Sequence, residues 1–210
     1  MSSIIPPPDA ISRLREGNAR FVANVRSVDA LASLSRRIDP AALQRPFAII
    51  LGCADSRAPA ETIFDQGLGD LFVIRVAGNI VAPSQVGSVE FAAEHFGTQL
   101  VVVMGHSHCG AIDATVQGMQ PSHDQPPRSR NLLSITDRIA PAIAPLMHTE
   151  LARDRSALLR AATRANVSAS CNQLRHGSRL LEELMLKNGL VVVGAEYDLV
   201  TGVVDFFDGV

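Results

Sequence analysis

Residues 100–110 read LVVVMGHSHCG: five apolar residues run into a glycine, and then into two histidines and a cysteine. A short run of mostly branched apolar side chains is the pattern of a strand covered on both faces. The same pattern recurs at FAIIL (47–51), LFVI (71–74) and LVVV (190–193). Helical spacing fills the intervals. Over 84–96, Ser84 stands as a cap, Val86, Val89, Ala93 and Phe96 share a face, and Gly97 ends the segment. Over 166–187, Val167, Cys171, Leu174, Leu181, Leu184 and Met185 fall near one side before Asn188 and Gly189 stop the helix. Strands alternating with helices predict an α/β fold with a mainly parallel central sheet flanked by helices. Ahead of the first strand, Ile11, Leu14, Phe21, Val22 and Val25 recur at three- and four-residue steps, with Asp9 as a cap. This predicts an N-terminal helical arm that packs on the body of the fold or on a partner subunit. At the other end, GAEYDLVTGVVDFF (194–207) sets the turn-forming residues 198–202 between short apolar segments, which predicts a C-terminal edge strand or hairpin.

At 210 residues and 47% apolar, the chain is long enough for one substantial core. The expectation is a single domain over 1–210, with 1–45 as N-terminal arm and lead-in. A formal charge of -2, one Tyr and no Trp argue against a nucleic-acid partner. The start, MSSIIPPP, lacks the basic head and apolar stretch of a secretory signal, and no run approaches the roughly 18 apolar residues of a membrane helix. These features predict a cytoplasmic protein without a membrane partner. Three cysteines leave one unpaired under any internal disulfide scheme, which fits a reducing compartment. The polar, proline-rich stretch 117–131 reads as a surface loop, and its His123 has no potential ligand at useful spacing.

GCADSR (52–57) and GHSHCG (105–110) each follow a predicted strand. In a doubly wound sheet ligands collect beyond the carboxyl ends of the strands, so the two motifs are expected to meet. Alternation along an extended chain would send Cys53, Asp55 and Arg57 to one side. The three-residue step from His106 to Cys109 lets both face one point where strand gives way to helix. Two thiolates and an imidazole suit zinc, and three protein ligands leave the fourth tetrahedral position open, as in catalytic sites. Asp55 and Arg57 are close enough for a two-pronged ion pair that orients the carboxylate. The carboxylate can then hold the nucleophile or turn onto the metal and close the site. Cys171 shares an apolar helix face with Val167 and Leu174 and reads as a core thiol. His95, His108, His148 and His176 read as surface or supporting groups rather than ligands.

CADSR with HSHC resembles the zinc signature of the beta-class carbonic anhydrases, and the likeness extends through 58–79, 87–111, LREGNARF (14–21) and GAEYDLVTG (194–202). The resemblance covers nearly the whole chain and is weakest in the loop 117–131. It implies reversible hydration of carbon dioxide to bicarbonate and a proton, by attack of zinc-bound hydroxide. Cys53, His106 and Cys109 match the family's zinc ligands, and Asp55 and Arg57 its catalytic dyad. Gln44, Phe72, Phe91 and Gly110 fall at substrate-pocket positions, of which Phe72 can serve a neighbouring subunit. A homodimer or homotetramer is implied. Two departures stand out: Phe91 replaces a pocket tyrosine of some members, and Ile50 stands where members with an inhibitory bicarbonate pocket often carry tryptophan. A related zinc hydrolase acting on carbon disulfide or carbonyl sulfide would keep the same ligands and dyad. A noncatalytic zinc-stabilised protein would instead need four permanent protein ligands.

Overall fold

The computed structural model describes residues 4–27, 44–120 and 129–210. Most of the lead-in and the centre of the 117–131 loop, His123 included, lie outside the described residues. The apolar runs form β1 (Ala48–Gly52), β2 (Leu71–Arg75), β3 (Leu100–His106) and β4 (Val191–Tyr197), and the tail adds β5 (Val204–Asp208). The sheet order is β2-β1-β3-β4-β5. β1 pairs in parallel with β2 and β3, β3 pairs in parallel with β4, and β5 returns antiparallel on β4. The tail is therefore a hairpin. Its turn is tied by Asp198 Oδ1, which accepts from the amides of Val200 and Thr201.

The helices are α1 (Pro7–Val22), α2 (Ala60–Ile63), α3 (Pro83–Phe96), α4 (Gly110–Met119), α5 (Arg130–Ile143), α6 (Arg155–His176) and α7 (Arg179–Asn188). β1 and β3 are buried along their whole length. Alternation divides their side chains between two layers. Ile50, Val102 and Met104 pack with Leu14 of α1, whereas Ile49, Leu51, Val101 and Val103 pack with Val89 of α3 and Val167 and Leu174 of α6. Cys171 is fully buried in that second layer, and burial pushes its thiol up to about 12. A third cluster, built from Ile112, Val116, Ile139, Ile143 and Leu158, closes the carboxyl end of the sheet around Cys53 and Cys109.

Three local expectations are corrected. The segment 166–187 is not one helix: α6 starts at Arg155, capped by Asp154, which accepts from the amides of Ser156 and Ala157. It ends at His176, and Ser178 caps a separate α7 by accepting from the Leu181 amide. Asp9 and Ser84 are not caps, because the prolines beside them start the helices: α1 begins at Pro7 and α3 at Pro83. Both fall in first turns, where the Asp9 carboxylate still favours the helix dipole. Gly97 and Gly189 end α3 and α7 in the left-handed region, as the sequence predicts.

α1 packs on the body of its own subunit. Buried Asn18 donates to the carbonyls of Ile63 and Gly202 and accepts from the Val204 amide, which ties the arm to α2 and to the hairpin. Arg20 Nε donates to Asp65 Oδ2 at 2.6 Å. The approach is closest at Gly17, where a Cβ would sit 1.8 Å from the Phe64 carbonyl oxygen. In an exposed helix Gly→Ala stabilises by about 1 kcal/mol. Here the sign should reverse: we expect Gly17→Ala to destabilise by about 1–3 kcal/mol, because α1 must move off a fixed backbone oxygen. Urea unfolding should give a lower midpoint for the variant; a higher one would contradict this docking.

Candidate metal centre

Cys53 is the first residue after β1, and His106 is the last residue of β3, its parallel neighbour. Cys109 occupies the N-cap position of α4. These three residues therefore come to one point at the carboxyl edge of the sheet. Their donor atoms all lie within 4.8 Å of one another, and the two sulfurs are 4.0 Å apart. Sulfurs bound at about 2.3 Å in a tetrahedron would be about 3.8 Å apart, so the spacing suits zinc. All three side chains are buried. His106 Nδ1 donates to the Ser107 carbonyl at 2.9 Å, which leaves the lone pair on Nε2. That Nε2 is buried and has no hydrogen-bond partner. A buried nitrogen lone pair without a donor, facing two sulfurs, is what a soft-to-borderline cation satisfies.

The electrostatics favour the thiolate form at Cys53. The Cys109 contact, with help from His106 and from the amides of Gly78 and Asp55, lowers the Cys53 thiol against the opposing effect of burial. The same contact, with burial, pushes Cys109 up. Both thiols must be deprotonated to serve as ligands, so binding of a divalent cation here would release protons. Burial disfavours the charged form of His106, but the nearby Cys53 sulfur and the Ser107 carbonyl outweigh it and raise the ring.

Past β1 the chain keeps its pairing for two more residues, with the Ala54 amide on the Val76 carbonyl, and turns only at Asp55. The Ala58 amide donates to the Asp55 carbonyl, and the Asp55 amide folds back to Cys53 Sγ at 3.4 Å. The turn brings Arg57 back onto the Asp55 carboxylate. Arg57 grips the carboxylate with Nε at 2.9 Å from Oδ1 and Nη2 at 2.7 Å from Oδ2, and its amide adds a third bond at 2.9 Å. These bonds hold Asp55 well below the usual carboxylate range. Arg57 also donates to the His108 carbonyl, so the dyad bridges the two motifs. Asp55 Oδ2 lies 4.0 Å from His106 Nε2, close to the donor set but outside it.

The carbonic anhydrase family model matches residues 48–204. Carbonic anhydrase 2 of Mycobacterium tuberculosis is 36% identical over 196 residues, covering 93% of this chain and 90% of the relative. The chain belongs to the beta-class carbonic anhydrase family. The solved beta-carbonic anhydrase CafA of Aspergillus fumigatus superposes with a TM-score of 0.73 at 25% identity, over 96% of this chain and 92% of that one. A chain from the crystal structures of two tetrameric beta-carbonic anhydrases of Sordaria macrospora matches in fold at TM-score 0.71 and 24% identity, over 85% of this chain and 91% of that one.

The remaining family-derived positions divide in space. Gly110 opens α4 beside Cys109, next to a pocket of about 220 Å³ that is also lined by His108, Asp113, Arg155 and Thr163. Gln44 and Phe72 lie toward the other end of the strands: Gln44 precedes β1 and sits against Gly69, and Phe72 pairs with Ile49. Phe72 packs with Phe91 and Phe96 at centroid distances of 6.2 and 6.0 Å, and Phe91 is 51% exposed. One subunit does not bring Gln44, Phe72 or Phe91 to its own metal ligands. Ile50 is fully buried in the core. Residues that sequence reasoning missed include Arg75, which donates to the carbonyls of Cys53 and Asp55, and Gly78, whose amide reaches Cys53 Sγ. Both lie in RVAGN (75–79), where only an arginine and a glycine after an apolar strand could have flagged them.

Proposed function

We propose that Cys53, His106 and Cys109 hold zinc and that the site hydrates carbon dioxide reversibly to bicarbonate and a proton. Bound there, zinc acidifies water and supplies a hydroxide nucleophile near neutral pH. Asp55 and Arg57 are the catalytic dyad. Ion pairing keeps Asp55 an acceptor, so its carboxylate takes the hydrogen bond of the nucleophile and aims the remaining lone pair at the carbon of carbon dioxide. Arg57 keeps that carboxylate from turning onto the ligands. Bicarbonate is an anion, and Gly110 at the start of α4 puts it in the positive field of a helix N-terminus. Gln44, Phe72 and Phe91 belong to the substrate pocket of a neighbouring subunit, which makes the active unit a homodimer or a homotetramer. The observation that carries the reading is the buried, unpartnered His106 Nε2 facing two sulfurs with a fixed carboxylate 4.0 Å away.

No helix among the described residues is long and apolar enough to cross a membrane, and we propose a cytoplasmic location. Stopped-flow hydration of carbon dioxide by the zinc-loaded chain, run beside sulfide release from carbon disulfide, tests the activity. Fast hydration with negligible sulfide release is expected; the reverse would assign the site to the related sulfide hydrolases. Light scattering on the same sample should find at least a dimer, and a fully active monomer would contradict the shared pocket.

A further inference from the structure

Gly78 and Asn79 sit in the left-handed region one after the other, at φ 70° and 43°. For Asn79 this is an uncommon conformation, and its Nδ2 is buried with no hydrogen-bond partner. Such a turn persists only where its surroundings hold it. Two side chains one helical turn apart on α6 do so. Asn166 Nδ2 donates to the Gly78 carbonyl at 2.8 Å, and Ser170 Oγ donates to the Asn79 carbonyl at 3.2 Å. Both residues are buried, at 2% and 5% exposure. The opposite side is closed by packing: a Cβ at Gly78 would meet Ile139 Cδ1 at 2.7 Å and Ala111 Cβ at 3.1 Å. The group fixed by all these contacts is the Gly78 amide, which donates to Cys53 Sγ at 3.4 Å.

We propose that Asn166 and Ser170 are positioning residues for the metal centre, locking the 77–79 turn so that the Gly78 amide stays on the Cys53 sulfur. Two thiolates donate more charge to a metal than imidazoles would, which weakens it as an acid. An N–H held on one sulfur withdraws part of that charge and fixes the direction of the lone pair that remains for the metal. Asn166 thus acts on the ligand through the carbonyl of Gly78, 88 residues away in sequence. The inference rests on the assignment of Cys53, His106 and Cys109 as zinc ligands.

The test uses Asn166→Leu, which keeps the approximate volume and removes the donor, and Ser170→Ala, which removes one hydroxyl. Leu174→Ala serves as control, since Leu174 is fully buried on the same helix but packs in the layer against the strands. Zinc affinity is measured by chelator competition, and cobalt(II) is substituted to read the sulfur-to-metal charge-transfer band. For Asn166→Leu the zinc dissociation constant should rise about tenfold or more, the scale of effects seen when a ligand's supporting partner is lost. The band should move to lower energy, because a sulfur without its hydrogen bond holds its electrons less tightly. Ser170→Ala should move both readouts in the same direction by less, and it decides the matter if Asn166→Leu does not fold. Leu174→Ala should lower the melting temperature and leave band and affinity in place. An unchanged band and affinity in a folded Asn166→Leu, or in Ser170→Ala where that variant decides, would overturn the proposal. So would equal changes in Leu174→Ala. A wild-type chain that takes up neither metal would overturn the ligand assignment as well, so the two failures are distinguishable.

Discussion

Cys109→Ser should leave the purified chain with less than about a tenth of the wild-type zinc and with carbon dioxide hydration at the buffer rate. The size of the effect comes from the donor set. Among the described residues three donor atoms converge at this point, so the loss of one leaves two, and a serine hydroxyl is a hard, weakly acidic replacement for a thiolate. The substitution also removes the partner whose contact favours the Cys53 thiolate. Serine is a good N-cap residue, so α4 itself should survive, and circular dichroism should show unchanged helix content. Elemental analysis is the deciding measurement. Full zinc occupancy in this variant would remove Cys109 from the ligand set.

The second large effect separates catalysis from metal binding. Asp55→Asn should keep about one zinc per subunit, because the three donors are intact. Hydration at about pH 8 should fall at least roughly tenfold, equivalent to about 1.4 kcal/mol of lost transition-state stabilisation. The amide cannot form the two-pronged ion pair with Arg57, and it can present an N–H where the nucleophile needs an acceptor. Stopped-flow assays on metal-matched proteins from pH 6 to 9 read the difference. Equal rates throughout would leave the dyad without a catalytic role.

The ligands are legible in the sequence for a simple physical reason. VVVM and AIIL are short, branched apolar runs closed by glycine and read as buried strands, and neighbouring parallel strands deliver the residues at their carboxyl ends to the same edge of the sheet. Cys53, His106 and Cys109 therefore meet by topology alone. Asp55 lies beside the ligands, but Arg57 reaches it through a turn over 55–58 closed by the Ala58 amide, which alternation along an extended chain does not predict. Local chemistry also misleads at the helix ends. Proline at N1 takes precedence over Asp9 and Ser84, while the cap at Ser178 splits an apolar face that reads as continuous from Val167 to Met185. α5 escapes the pattern reading although Ile135, Ile139 and Ile143 recur every four residues behind the Ser129 cap; Pro141 near its end masks the pattern. Asn166 and Ser170 cannot be found by pattern at all. A polar side chain on a helix carries no mark of which carbonyl it serves, and Gly78 becomes its partner only once α6 is laid over β3 and β4.

The central claim is that this metal centre performs the hydration, and stoichiometric reconstitution tests it most directly. The metal-free chain is titrated with zinc while carbon dioxide hydration is followed by stopped flow. Activity should start at the buffer rate, rise linearly and level off at one zinc per subunit. Full hydration activity in the metal-free chain, or none at one bound zinc per subunit, would contradict the account.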